Sequence, residues 1–276
     1  MNESIVRTLS GIVYIVLLLS ATLFSSLSFL ILFGIFLLLS VLEFCRLVNL
    51  DKTIPLIIAA LGFIIFGFGF VVDNNSLSNL ALTLAGLFIS IMLLNDLFSK
   101  KSFVPKDRNS KLSHLIGYVI IPFLLLIKLP FLEGVYNPYI LIGSFILIWT
   151  NDTFAYIVGK TMGKRKLFER ISPKKTIEGF LGGMFFTIIA AYILSNFTTF
   201  ITPLFHSPLV WMGAAIILVV FGTLGDLVES KLKRNAGVKD SGNIMPGHGG
   251  ILDRLDSIIF AIPFLFLYYQ IISYVS

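Results

Sequence analysis

Four aspartates stand out for their positions. Asp152, Asp226, Asp253 and Asp256 each fall at or just inside the end of a long apolar run. An ionisable side chain at membrane depth costs about 2.5–3.5 kcal/mol on insertion scales, so such a group is a functional candidate by default. Asp253 and Asp256 are spaced to share one face of a helix. A donor set made of oxygen alone, with no cluster of His or Cys, favours a hard cation such as Mg2+, completed by substrate phosphates and water. The plainer alternative pairs each aspartate with a nearby base, for instance Asp253 or Asp256 with Arg254 or Lys231.

The basic residues indicate what such a cation would hold. Lys174 and Lys175 follow Ser172 and Pro173 and precede Thr176 and Glu178, where the sequence predicts a helix start. Thr176 suits the cap, and the first amides of that helix add to an anion site. Lys233, Arg234 and Lys239 bring further positive charge beside the carboxylates. In the run PGHGG at 246–250, the glycines allow close backbone approach and successive amides can form an anion nest. His248 is placed to donate to a phosphate or to assist a proton transfer, against the plainer role of a hydrogen-bonding loop residue. His114 and His206 lack any such context. Attraction to anionic lipid, about 1 kcal/mol per basic residue, accounts for Lys164–Lys166 and for the basic run at 100–111. It accounts poorly for Lys174, Lys175, Lys233, Arg234 and Lys239, which are interleaved with glycines and carboxylates.

The elements that must position these residues are membrane helices. The chain has 276 residues, 57% of them hydrophobic and 13% charged, and its mean hydropathy is +0.94. Such a chain cannot cover its apolar surface with polar groups, so lipid must be its main solvent. Nine candidate spans emerge at 8–25, 27–47, 54–72, 77–98, 112–130, 136–158, 177–198, 208–228 and 251–274. The first two join tightly around Ser25 and Ser26 and read easily as one. The first is expected to be a retained helix and not a cleaved signal, because no small-residue cleavage site follows Arg7 and its apolar run. Twenty of the 21 Lys and Arg residues fall on alternate connectors, with Lys128 the exception. By the positive-inside rule that side, with the amino terminus, is cytoplasmic. Cys45 lies in an apolar run and reads as a small hydrophobe. No soluble domain is left to bind nucleic acid.

The fold class that follows is all-α, a polytopic membrane protein. Residues 1–111 form a unit of about four spans, and 112–276 a catalytic unit of about five. The catalytic unit carries the polar segments 149–179 and 225–257, both on the basic face and so able to meet in one site. The residues alone reach a metal-dependent site for a phosphate-rich ligand at the cytoplasmic interface.

The stretch from Ser230 to Asp256, SKLKRNAGVKDSGNIMPGHGGILDRLD, resembles the signature of the phosphatidate cytidylyltransferases, or CDP-diacylglycerol synthases. The matching places are Ser230, Lys233–Arg234, Lys239–Asp240, His248–Gly249–Gly250, Asp253–Arg254 and Asp256, with Met245 where Leu, Ile or Phe is usual. SPKKTIEG at 172–179 and NDTFAY at 151–156 are similar to the family as well. The resemblance implies CTP and phosphatidic acid as substrates, CDP-diacylglycerol and pyrophosphate as products, the bilayer as surroundings and a homo-oligomer, expected as a dimer. It implies Asp226 and Asp253 first, then Asp152 and Asp256, as ligands of a two-cation Mg2+ site. Lys174, Lys175 and Lys239 would act on the reacting phosphates. Ser172, Lys233, Arg234, His248, Gly249, Gly250 and Arg254 would bind substrate. A lipid kinase that transfers the γ-phosphoryl group on the same scaffold is the nearest alternative. The run of aspartates that marks CDP-alcohol phosphotransferases is missing. A transporter fits the intramembrane charge, but no inverted repeat stands out and the polar residues crowd one face.

Overall fold

A computed structural model describes residues 3–69, 76–99, 107–198 and 207–275. Helix α1 covers Glu3–Phe24, α2 Ser26–Leu47, α3 Thr53–Gly62, α4 Ser76–Phe98 and α5 Arg108–Leu115. Then come α6 at Ile121–Lys128, α7 at Pro138–Met162, α8 at Ile177–Thr198, α9 at Pro208–Asn235 and α10 at Leu252–Val275. π-Helical turns extend α3 over Phe63–Gly69 and join α5 to α6 over Ile116–Ile120. Among the described residues, eight helices are long and apolar enough to cross a membrane, counting Arg108–Phe131 as one. The third expected span, 54–72, corresponds to α3 and its extension, an apolar helix shorter than these eight. Residues 70–75 lie outside the described residues, as do Lys100, Lys101 and Lys106 of the expected basic run and most of the connectors expected at 73–76 and 199–207.

Local chemistry sets the boundaries. The break between α1 and α2 is a capping box: the Ser28 amide donates to Ser25 Oγ and the Ser25 amide to Ser28 Oγ, each at 3.1 Å. Asn137 caps α7 ahead of Pro138, whose fixed φ and missing N–H suit a first helical position. Thr176 caps α8 as expected, accepting from the Gly179 amide at 3.1 Å. Lys174 and Lys175, just ahead of that helix, lie in a strand. Strands β1, Lys166–Phe168, and β2, Ser172–Thr176, form an antiparallel hairpin between α7 and α8, with Lys166 opposite Thr176. Glu178 fixes the base of this hairpin by accepting the Lys164 and Arg165 amides.

Burial separates lipid-facing from central helices. Only 17% of the spanning stretch of α1 is buried, against 72% of Arg108–Phe131. Helix α10 packs against α9 and also reaches α2, α4, α6 and α7. Its Phe260, Phe266 and Tyr269 are fully buried, with Trp211 of α9 and Phe145 of α7 nearby in the same core. Lys128, the exception to the charge asymmetry, is buried on α6 and donates to Asn79 Oδ1 of α4 at 2.5 Å. An internal acceptor offsets part of the cost of removing that ammonium from water.

Helices α7 and α8 approach most closely through glycines. A Cβ on Gly179 would stand 2.7 Å from the Ala155 carbonyl and 3.1 Å from Gly159 Cα. Association between helices in lipid rests on such close van der Waals packing, because the apolar driving force of water is missing. Gly179→Leu is therefore expected to force α7 and α8 apart and to destabilise the protein by about 1–3 kcal/mol. Thermal unfolding in detergent measures this, and an unchanged midpoint would count against the close crossing.

Candidate functional site

The C-terminal half of α7, the β1–β2 hairpin, the start of α8, the polar end of α9 and the start of α10 enclose a cleft of about 620 Å3. Asp152 enters it from α7 and Asp226 from α9. Lys160, Lys166, Lys174 and Lys175 line the same space, with Asn151, Thr176, Thr223 and Ser257. The Lys175 ammonium lies 2.5 Å from Asp226 Oδ2, and the Ser230 hydroxyl donates to Oδ1 at 3.1 Å. Lys166, expected to serve only as membrane-surface charge, lines this cleft instead, because the hairpin pairs it opposite Thr176.

A smaller cavity, about 220 Å3, lies between α1, α7 and α10. Asp152 and Ser257 border both spaces, and Asp253, Arg254, Asp256 and His248 line the smaller one. Asp256 is within range of the charges on Asp226 and Asp152. The wall between the two spaces is thus carboxylate-rich. Among the described residues no three His, Cys, Asp or Glu side chains group tightly enough to cage a metal unaided. Mg2+ rarely asks for such a cage, since it keeps waters and takes one or two carboxylates plus substrate phosphates.

Asp253 is held differently from the other three aspartates. Its Oδ1 meets Lys233 Nζ at 2.6 Å, and its Oδ2 lies within hydrogen-bond distance of the Ser241 amide (2.8 Å), the Ser241 hydroxyl (2.8 Å) and the Gly250 amide (2.7 Å). Lys233 also meets Glu229 Oε2 at 2.5 Å. Both oxygens of Asp253 are therefore engaged within the protein at the first turn of α10, where the helix dipole favours an anion.

Within PGHGG the Gly250 amide serves Asp253, while the His248 amide donates to the Met245 carbonyl. Gly249 has φ of +84°, which L side chains rarely adopt, and a Cβ there would stand 2.4 Å from Asp253 Oδ2. Beyond Gly250, the Ile251 and Leu252 amides donate to Glu43 Oε1 and Oε2 of α2 at 3.0 and 2.8 Å. The Gly250 amide thus serves Asp253 and the two amides after it serve Glu43, both of them internal anions. Gly249 and Gly250 line neither cavity.

Lys239, expected to act on the reacting phosphates, is exposed and lines neither cavity, and neither do the expected substrate-binding residues Arg234, Ser172 and Lys233. Arg254 lines the smaller cavity. His248 Nδ1 sits 2.7 Å from Ser10 Oγ, so the imidazole docks α1 onto the loop. Burial and the nearby Arg254 and Arg7 cations push its pKa down, which keeps the ring neutral near pH 7.

Sequence reasoning missed Glu43 and Glu229, although both lie within apolar helices and the cost argument applied to the aspartates covers them equally. Both are fully buried. It also missed Lys160, whose position one helical turn beyond Tyr156 gave no hint of a cleft.

A family described as "Cytidylyltransferase family" matches residues 5–272 of the chain. A phosphatidate cytidylyltransferase of Staphylococcus saprophyticus is 40% identical over 267 residues, covering 94% of this chain and 96% of that protein. Phosphatidate cytidylyltransferases of Staphylococcus aureus strain COL and Bacillus subtilis strain 168 are 52% and 50% identical over 124 and 128 residues. Those two matches span 45% and 46% of the relatives' lengths.

Glu43 offers a direct check on how the start of α10 is held. Glu43→Ala leaves the Ile251 and Leu252 amides without their acceptor and is expected to destabilise the protein by about 2–4 kcal/mol. Glu43→Gln, which keeps one oxygen acceptor, should lose less. Equal thermal midpoints for the wild-type and both variants would show that Glu43 does not hold the helix.

Proposed function

The chain belongs to the cytidylyltransferase family, and from that premise we propose that it makes CDP-diacylglycerol from CTP and phosphatidate at the cytoplasmic face of a bacterial cell membrane. The observation that carries this reading is one cleft lined by four lysines and two aspartates, Asp152 and Asp226, at the polar ends of membrane helices. Such a cleft suits a triphosphate. The carboxylate wall beside it suits the reacting phosphorus, and the surrounding helices give a lipid acceptor access from the bilayer.

The step is an in-line nucleotidyl transfer. A phosphate oxygen of phosphatidate forms a new bond to the α-phosphorus of CTP. The bond from that phosphorus to the α–β bridging oxygen breaks, and pyrophosphate leaves with the electron pair. An ionised phosphate needs no strong base, so the protein acts by positioning and by neutralising charge. Lys160, Lys166, Lys174 and Lys175 bind the triphosphate. Lys175, already paired with Asp226, moves between carboxylate and phosphate as the cleft fills.

The donor chemistry fits Mg2+. Asp152, Asp226 and Asp256 offer oxygen alone and lie in mutual electrostatic range, with the Lys175 ammonium paired to Asp226. Bound there, one or two such cations supply neutralisation to the phosphate oxygens. Asp253 is assigned a different role from the one the resemblance implies. With Lys233, Ser241 and Gly250 on its oxygens, it anchors the start of α10 and so orients Asp256, one helical turn further on. A homodimer belongs to the same reading and is tested by mass measurement in lipid nanodiscs.

The deciding experiment uses purified protein with phosphatidate, Mg2+ and CTP labelled separately at the α- and γ-phosphorus. The α label is expected in lipid, with pyrophosphate released. The γ label in lipid would make the protein a lipid kinase and overturn the reading. Asp226→Asn and Asp152→Asn should each lower kcat by about 100-fold or more with the thermal midpoint retained. Asp253→Asn should lower the midpoint as well as the rate, and a folded, fully stable Asp253→Asn enzyme without activity would return Asp253 to the metal.

A further inference from the structure

The smaller cavity contains a group that the reaction as described does not use. Tyr14 of α1 lines it together with Arg254 and Asp256. The residue is 8% exposed, and its hydroxyl is buried with no hydrogen-bond partner. Its ring is packed near Phe36 of α2, with centroids 6.0 Å apart. Buried hydroxyls in native proteins are nearly always satisfied, and leaving one unpaired costs about 1–3 kcal/mol. A phenol kept unpaired beside a guanidinium, in a cavity that borders the carboxylate wall, has the chemistry of a binding group awaiting an anionic acceptor.

The position of the cavity narrows the ligand further. Asp152 and Ser257 separate it from the lysine-lined cleft, so a group seated in it meets the same carboxylate wall from the opposite side. Its outer wall includes Ile15, which is 38% exposed on the sparsely packed face of α1. One residue thus borders both the cavity and the lipid-facing surface. The space admits a phosphomonoester headgroup but not two acyl chains, which can remain in the bilayer beyond Ile15.

We propose that this cavity seats the phosphomonoester of the acceptor lipid and that Tyr14 is a substrate-binding residue, its hydroxyl donating to a phosphate oxygen that Arg254 also holds. This assignment rests on the cytidylyl-transfer reading and adds to it a residue from the N-terminal helices. Tyr14 and Arg254 grip the acceptor phosphate in the smaller cavity, the lysines grip the nucleotide in the cleft, and the oxygen meets the α-phosphorus where the two spaces adjoin at Asp152 and Ser257. The same phosphate chemistry could come from the nucleotide, whose pyrophosphate end would then lie in the smaller cavity, and the kinetics separate the two sources.

The experiment measures KM for phosphatidate in mixed micelles and KM for CTP, with wild-type enzyme and Tyr14→Phe. The expected result is a KM for phosphatidate raised about tenfold, the loss of one hydrogen bond to a charged group, with KM for CTP and the thermal midpoint unchanged. Ile15→Trp, which narrows the lipid side, should raise the same KM more for long-chain phosphatidate than for a short-chain soluble analogue. A rise in KM for CTP alone would place the nucleotide's phosphates in the cavity and overturn the proposal. Unchanged constants in Tyr14→Phe would overturn it as well. A wild-type enzyme that transfers no α label would instead remove the reading on which the proposal rests, so the two failures are distinct.

Discussion

The start of α10 depends on a buried carboxylate from the other half of the chain. Glu43, fully buried on α2, accepts the first free amides of α10 at Ile251 and Leu252. A helix end enclosed by protein cannot leave these donors unpaired, and water is scarce to satisfy them here. Gly250 and Gly242 leave room for the same carboxylate, since a Cβ on either would come within 2.6 Å of a Glu43 oxygen. From this anchor follow the direction of α10, the place of Asp253 in its first turn and the height at which Asp256 meets Asp152 and Asp226.

Two populations of carboxylate result, and they differ in what surrounds them. Glu43 and Asp253 accept from backbone amides and hold backbone in place, and Glu229 is paired with Lys233. Asp152 and Asp226 open into a cleft with more ammonium groups than carboxylates. Buried anions that make internal hydrogen bonds suit a structural role, whereas anions left facing a basic cleft suit the phosphates and cations of a reaction. The glycine-rich loop between α9 and α10 would give a poor scaffold by itself. The loop becomes rigid because its amides serve internal anions and because His248 ties it to Ser10 of α1.

The membrane shapes the cleft from outside. Helices α7 and α8 pack closely through glycines at the ends that adjoin the hairpin, which places Lys166, Lys174 and Lys175 directly beyond that contact. The hairpin is polar and lies where the helices leave the apolar core, so its backbone need not be satisfied in lipid. Two spaces of different character then adjoin, the lysine-lined cleft and the smaller cavity beside α1.

Much of this was legible in the residues. Apolar runs of spanning length fixed the helical class, because no other backbone except a closed barrel survives in hydrocarbon. Carboxylates at helix ends pointed to Asp152 and Asp226, and the spacing of Thr176 before Gly179 gave the α8 cap. What a linear string could not decide was which anion meets which donor. Asp253 and Asp256 look alike in sequence, yet one is enclosed by Lys233, Ser241 and Gly250 while the other faces the carboxylate wall. Glu43 lies more than 200 residues from the amides it caps, and Tyr14 reads as one more apolar residue of the first helix. Composition and periodicity report the average environment of a segment. The role of a single polar group depends on the few atoms within hydrogen-bonding distance, and only the folded chain brings those together.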